Sequence, residues 1–434
     1  MKPRLPLRRV AYLTSIHPGI SQSFILREIR ELRAMNFEIH TASINPLERP
    51  IAELSSDEVE EASSTFYVKS QRPAAIAAAH LATLVKSPTA YVRGFFGALR
   101  LTDGGLRKKL LAIAYFVEAV LVGRWMMDRR LSHLHVHFAT PACTVGLIAS
   151  KIFPIEFSFT VHGPDEFYDV HRYRLAEKIA VASFVCCIGH FARSQLMRLS
   201  PPEHWGKFEV APLGVDPDVF RPVANRQPSD RFEILCVGRL VPAKGQHILI
   251  AAVAELMKTN REISLRFVGG GPDQENLKRE VVSRGLGHRV HFEGPVNQDR
   301  IRDFYRRADV FVLPSFAEGI PVALMEAMAM EIPCVSTFVA GIPELIRNDI
   351  DGILVAPSDK HALAIAIRSL LVDPALRHRL GRSGRRRVIE KYNLERNVAH
   401  LAAILVDRIE GSTENTAHWE ESSSEPTERD RSLA

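Results

Sequence analysis

Val310-Phe311-Val312-Leu313-Pro314-Ser315-Phe316-Ala317-Glu318-Gly319-Ile320-Pro321-Val322-Ala323-Leu324-Met325-Glu326 is the stretch on which the fold turns. Its first four residues are apolar and too few for a helix, so they read as a buried strand ending at Leu313. Gly319 permits a tight turn, and Pro321 suits the first position of a helix continuing to Met330. The amides near Gly319 and Ile320 then stand at a helix N-terminus, where a diphosphate is favoured. From Pro321 to Glu326 the helix rises about 7.5 Å at ~1.5 Å per residue. Glu318 and Glu326 can therefore meet groups on opposite sides of that diphosphate, and carboxylates suit the vicinal hydroxyls of sugars and riboses. By themselves the two would be no more than a turn residue and an exposed helix residue.

The same strand–turn–helix unit recurs outward in both directions. Strands are expected at Phe232–Gly238, Ser264–Val268 and Val290–Phe292, with helices starting near Lys244, Asp273, Asp299 and Pro321. The first half gives strands Arg9–Ser15, Phe37–Ser43, Leu134–Phe138, Glu156–Val161, Phe184–Ile188 and Phe208–Ala211. Helices are expected at Ile25–Met35 and near Pro141, Arg172 and Ala192, with a less regular Ala-rich helical region over about 74–130. The pattern predicts an α/β protein of two Rossmann-like, doubly wound domains facing across a cleft. The boundaries read as 1–213, a Pro-bearing linker at 214–230, and 231–392. A final helix around 393–409 is expected to pack back on the first domain, and 411–434 to form a disordered acidic tail.

Among 434 residues, 46% are hydrophobic and 24% charged, which excludes wholesale disorder and fibrous repeats. Lys and Arg number 56 against 50 acidic residues, a net +6. The excess lies in the first half: residues 1–213 hold 26 basic and 19 acidic side chains, a net +7. With no nucleic-acid motif and no aromatic-basic stripe, nucleic acid is not the expected partner. The five cysteines form no CxxC pair and read as buried reduced thiols. No apolar signal core follows the basic N-terminus, and the longest apolar run, Leu110–Gly123, is broken by Glu118 and too short to span a bilayer. The expected location is cytoplasmic.

Several segments carry candidate chemistry. Arg239, after a strand, and Lys244, opening a helix, are two cations at one strand's carboxyl end, able to neutralise a diphosphate without a metal. Gly269-Gly270-Gly271 allows close approach of a ring or phosphate, or is simply a structural loop. Phe292-Glu293-Gly294-Pro295-Val296 ends another strand in the same way. Asp216-Pro217-Asp218 looks like a metal-binding DxD but falls in the Pro-rich linker and reads as a turn. His133, His135 and His137 lack an accompanying carboxylate or thiol at ligand spacing, and only His137 is kept as a cleft candidate. Cys186-Cys187 reads as strand packing, and the Arg382, Arg385, Arg386, Arg387 cluster as the solvated face of a late helix.

Together these segments resemble family 4 retaining glycosyltransferases of the GT-B fold, over most of residues 8–405. Gly341-Ile342-Pro343-Glu344-Leu345, Asp351-Gly352, Ser21-Gln22-Ser23-Phe24-Ile25, His135-Val136-His137-Phe138, His162-Gly163-Pro164-Asp165 and Leu213-Gly214-Val215-Asp216 extend the likeness. It is closest to enzymes that build bacterial exopolysaccharides of the colanic acid or amylovoran type. The resemblance implies that Arg239 and Lys244 hold the donor diphosphate, Glu318 contacts the donor sugar and Glu326 the ribose. It implies that the amides of Gly319, Ile320 and Val322 cradle phosphate and sugar, and that Gly269, Gly270 and Gly19 lie against the donor. Pro295 and Val296 would frame the base, and His162 would reach the sugar near the reacting carbon. Two departures fall on the first loop: one glycine, Gly19, where many relatives have two, and Gln22-Ser23 where Glu-Thr is usual.

The expected reaction is transfer of a hexose from a UDP- or GDP-linked donor to a lipid-linked saccharide, with retained configuration and no metal or other cofactor. The alternatives are a nucleotide-sugar epimerase of the same architecture and a non-catalytic scaffold at the membrane edge. The basic Lys2–Arg9 stretch and Arg107-Lys108-Lys109 are candidates for peripheral contact with an anionic inner leaflet.

Overall fold

The computed structural model describes residues 8–102, 104–222, 231–258 and 262–422, with the backbone alone over 411–422. The first sheet has β1 (Arg8–Thr14), β2 (Phe37–Ser43), β3 (Phe66–Tyr67), β4 (His133–His137), β5 (Glu156–Val161), β6 (Val185–Cys187) and β7 (Phe208–Val210). Their order is β3-β2-β1-β4-β5-β6-β7. The second sheet has β8 (Phe232–Val237), β9 (Ile263–Val268), β10 (Val290–Phe292), β11 (Val310–Leu313), β12 (Cys334–Thr337) and β13 (Ile353–Val355), ordered β10-β9-β8-β11-β12-β13. The pairings between these strands are parallel. Both orders are the doubly wound arrangement, which reverses direction between β1 and β4 and again between β8 and β11. At such reversals the loops part and leave a crevice outside the strands' carboxyl ends.

Parallel strands covered on both faces need near-continuous apolar runs, and Val310–Leu313 is buried throughout. β4 is buried just as fully although three of its five residues are histidines. Their rings find partners on β5: His133 and His135 share the Ser158 hydroxyl at 2.7 and 2.8 Å, and the other nitrogen of His135 meets Thr160 at 2.8 Å. These two histidines are core residues.

The ten strands expected from the sequence match the observed ones within a residue at either end. β3 and β12 were not expected, one being two residues long and the other half polar, and β13 follows Asp351-Gly352, where the resemblance alone implies a final strand. The Ala-rich region resolves into three helices, Pro73–Lys86, Pro88–Arg100 and Leu106–Asp128. Pro88 stops the first, because a proline inside a helix removes one hydrogen bond and clashes with the preceding turn. An unexpected helix, Ser56–Ser64, starts at a capping box in which Ser55 and Glu58 exchange hydrogen bonds.

The apolar run Leu110–Gly123 proves to be part of a 23-residue helix, long and apolar enough by length and composition to cross a membrane. The expectation of too short a segment is corrected on that point. More than half of its apolar window is nevertheless buried, with Phe116, Val120 and Trp125 packed in the first domain's core. Inside it, burial raises the Glu118 carboxyl pKa, opposed by Lys69 at 3.6 Å.

The last helix, Leu394–Ser422, crosses to the first sheet. Its Leu394, Val398, Leu401 and Leu405 share a core with Ile25, Ile29 and Leu32 of the helix Ser23–Ala34. The acidic tail was expected to lack structure from 411 onward, yet the helical backbone runs to Ser422. A helix already nucleated extends at one hydrogen bond per residue fixed, which carries it beyond the packed turns. Residues 423–434, the linker's 223–230 and most of the basic Lys2–Arg9 stretch lie outside the described residues.

Candidate active site

The two crevices join in one cleft of about 1100 Å³, with walls from both domains. That exceeds the usual small-ligand pocket of roughly 300–1,000 Å³ and leaves room for two substrates. Arg239, Lys244, His162, Glu318, Gly319, Ile320, Val322, Glu326, Gly269, Gly270, Pro295 and Val296 all line it. Gly19 does not. The chain turns there so that Ile20 through Phe24 form the wall, and Gly19 only precedes them.

The loop after β1 is fixed from behind through His17. Its backbone N–H donates to Ser43 at 3.1 Å, its carbonyl accepts from the Tyr67 hydroxyl at 3.0 Å, and its ring lies 3.3 Å from Glu61. Burial works against the Glu61 charge, but hydrogen bonds from His17 and Arg33 together bring its pKa down to about 2. A depressed carboxyl stabilises the fold above its unfolded pKa and loses that contribution as pH falls through the folded one. Glu61→Gln is therefore expected to lower the urea midpoint at pH 7. The gap from wild type should close between about pH 4.5 and 2, as read by fluorescence unfolding.

On the second domain, Lys244 follows β8 on a short turn and pairs with Glu318, whose carboxylate also accepts the Ser315 hydroxyl at 2.7 Å. Both carboxylate partners come from elements flanking the reversal between β8 and β11, and Glu318 is buried. Arg239 is different: its side chain is 54% exposed, and among the described residues its ion pair is with Asp165 of the other domain at 3.4 Å. One cation is thus fixed and neutralised within the protein, while the other stands in the open cleft.

The Gly269-Gly270-Gly271 turn serves the scaffold first. Gly269 has φ +137, and a Cβ there would lie 2.0 Å from the Gly238 carbonyl, so glycine is needed for the loops after β8 and β9 to touch. Gly319 performs the corresponding task between domains, since a Cβ would fall 1.9 Å from the His162 carbonyl. Pro321 precedes the helix Val322–Ala329 as its cap residue, where first helical position was expected. Its ψ of 121 is extended, so the first helical amide is that of Val322.

The partners that hold the site in place were missed from sequence. Glu326 is engaged on both oxygens, by Arg27 of the first domain at 2.7 Å and by the Tyr305 hydroxyl at 2.9 Å. Gln298 also meets Arg27 and reaches Ser23 at 2.9 Å. Glu344 clasps the domains from another side, accepting the N–H groups of His190 and Phe191 at 2.8 and 2.6 Å. Glu166 organises the loop bearing His162: it accepts the N–H groups of His162 at 2.6 Å, Gly163 at 2.8 Å and Ala139. No spacing rule links Arg27 to Glu326 across 299 positions, and Arg27, directly after the apolar Phe24-Ile25-Leu26 and beside Glu28, reads as an ordinary helix charge.

His162 is a buried ring between Phe24 and Phe138, with centroids at 5.0 and 4.4 Å. Burial, reinforced by His137, holds its pKa well below the usual range, so the imidazole is neutral near pH 7. Its Nε2 lies 3.0 Å from Nδ1 of His137. His137 was expected in the cleft and is instead fully buried behind His162, 3.4 Å from Glu28. Asp216, the first residue of the apparent DxD, accepts the N–H groups of Asp218 and Val219 and so closes a turn.

This cleft therefore combines a helix N-terminus, two cations and two buried carboxylates at the reversal points of facing sheets. Residues 221–387 match the family described as Glycosyl transferases group 1. Those residues, which hold the second sheet and its cleft loops, are similar to that family. The chain is 28% identical over 290 residues to a GDP-mannose-dependent alpha-(1-6)-phosphatidylinositol monomannoside mannosyltransferase of Mycolicibacterium smegmatis, covering 63% of this chain and 75% of that one. It is 26% identical over 372 residues to WcaL of Escherichia coli, a glycosyltransferase named for colanic acid biosynthesis, covering 82% and 89%. Among solved structures, Anabaena HepE in complex with UDP and glucose superposes with a TM-score of 0.70 at 18% identity, over 91% of this chain and 98% of that one. The shared fold is GT-B, and Arg239, Lys244, Glu318 and Glu326 lie within the residues that match the family.

Proposed function

We propose that the protein is a family 4 retaining glycosyltransferase that needs no metal. It moves a hexose from a UDP- or GDP-linked donor to a hydroxyl of a lipid-linked saccharide, in extracellular or capsular polysaccharide biosynthesis. It works in the cytoplasm, peripherally on the inner face of the plasma membrane. The observation that carries this reading is the juxtaposition of Lys244, Glu318 and the exposed Arg239 at the start of the helix Val322–Ala329. The names of relatives support a carbohydrate-polymer context, and those of the mycobacterial relative and HepE mention GDP and UDP respectively.

In this reading Arg239, Lys244 and the helix N-terminus stabilise the charge that grows on the departing diphosphate. Ser315 and Lys244 hold Glu318 toward the donor sugar. Glu326 meets the ribose. Pro295 and Val296 frame the base, while Gly269, Gly270, Gly319, Ile320 and Val322 bring backbone against phosphate and sugar, with Gly19 shaping the loop ahead of the wall. A neutral His162 offers the sugar a hydrogen bond rather than a charge. The acceptor attacks the face that the diphosphate leaves, and a diphosphate oxygen takes its proton. Closure of the domains keeps water from the oxocarbenium-like centre.

A thermal-shift and calorimetric screen of UDP- and GDP-sugars tests the reading. The true donor at 100 times its Kd should stabilise the protein by about 2.7 kcal/mol. Glu326→Ala should weaken donor binding and leave free sugar-phosphate binding unaffected. No binding by any nucleotide sugar removes the proposal, and isomerised sugar formed from donor alone replaces it with epimerisation.

A further inference from the structure

The cleft leaves the charge of the first domain unexplained. Residues 62–127 hold nine Lys or Arg and only two acidic residues, Asp103 and Glu118. Their net +7 equals the whole excess of residues 1–213. The same segment concentrates exposed apolar side chains. Leu81 and Val85 on Pro73–Lys86, Val92 and Phe96 on Pro88–Arg100, and Leu106 and Leu110 on Leu106–Asp128 are exposed by 47% to 75%. Residues 104–111, which include the start of the last of these helices, are exposed without exception.

Isolated exposed leucines need no explanation, but six exposed apolar side chains on three helices that pack on one another, with basic residues among them, do. Lys86, Arg93, Arg100, Arg107, Lys108 and Lys109 supply that charge and are all exposed. One hydrogen bond ties this segment to the chain that follows the cleft wall. Arg174, nine residues beyond the cleft-lining Asp165, donates from Nε to the Leu101 carbonyl at 2.8 Å, between the second and third helices.

We propose that this three-helix face docks the protein on an anionic phospholipid bilayer. The start of the helix Leu106–Asp128 enters the headgroup region, and the six basic side chains meet lipid phosphates. Charge complementarity selects this occupant: a second copy would bring two like-charged faces together in a symmetric dimer. The helix does not span, because its later turns from Phe116 belong to the domain core. The proposal rests on the peripheral location proposed above and names the surface responsible; it needs no donor assignment.

The test is flotation of the full chain with vesicles of phosphatidylglycerol and phosphatidylethanolamine, against phosphatidylcholine alone, at about 150 mM salt. Wild type is expected to float with the anionic vesicles only. Arg107→Gln, Lys108→Gln and Lys109→Gln together should weaken partitioning on the order of a hundredfold, about fivefold per charge. Phe96→Ser, Leu106→Ser and Leu110→Ser together should abolish the part of binding that survives high salt. Both variants should keep the wild-type melting temperature. Absence of flotation, wild-type flotation by both variants, or a dimer in size exclusion that the serine variant dissolves would each overturn the docking face. Nucleotide-sugar binding measured in the same proteins separates the two proposals: lost flotation with intact donor binding overturns docking alone, and the converse overturns the donor reading alone.

Discussion

Arg239→Ala is expected to lower turnover by about 10²–10³-fold while leaving the melting temperature unchanged. The side chain is half exposed and its interdomain partner Asp165 lies at 3.4 Å, a contact too open to matter for stability. Its removal therefore subtracts only a charge aimed at the departing diphosphate. Lys244→Ala should slow turnover as severely and also destabilise, because Glu318 would remain buried without its cation. The double variant Lys244→Ala with Glu318→Gln separates the two effects. It should recover much of the lost melting temperature and none of the lost rate. Steady-state kinetics beside thermal unfolding makes the comparison, and wild-type turnover by Arg239→Ala would remove the assignment.

That contrast was half legible in the sequence. The positions of Arg239, Lys244 and Glu318 followed from local patterns, because a strand's end and a helix's start fix where a loop residue stands. The strands themselves were readable since parallel strands buried on both faces must be apolar runs. The pairing of Lys244 with Glu318 was not readable, and neither was the exposure of Arg239, because both depend on how the loops after β8 and β11 pack. Glycines were ambiguous for a related reason. Gly269 suggested room for a ligand, yet what requires it is the neighbouring loop's Gly238 carbonyl. Interdomain partners were the least visible: Arg27 on Glu326 and Glu344 on the helix His190–Leu199 join residues more than 150 positions apart. The histidine strand misled in a different way. Its place at the strand's carboxyl end suggested a cleft-facing His137, but that ring is buried behind His162 and meets it at 3.0 Å, while β5 hydroxyls make His133 and His135 acceptable inside the sheet.

Glu166→Ala should be the most destabilising single substitution near the cleft. The carboxylate accepts three backbone N–H groups, from Ala139, His162 and Gly163, that come from the ends of β4 and β5. Truncation leaves all three buried without an acceptor, at about 1–3 kcal/mol each. It also frees the loop that holds His162 against Gly319, so turnover should fall with stability. Glu166→Gln keeps one carbonyl oxygen and isolates the titration. Burial pushes the Glu166 carboxyl up to about 7, against the backbone hydrogen bonds that favour its charge. A carboxyl whose folded pKa is raised contributes stability in full below its unfolded pKa, about 4.5, and loses it as pH rises through about 7. Wild-type stability should therefore fall relative to Glu166→Gln by roughly 3 kcal/mol across that window. Urea midpoints at pH 5 and pH 8 measure the difference. A gap that stays constant with pH would mean that the three N–H groups keep the carboxylate ionised throughout, and that Glu166 acts on the His162 loop as a fixed charge.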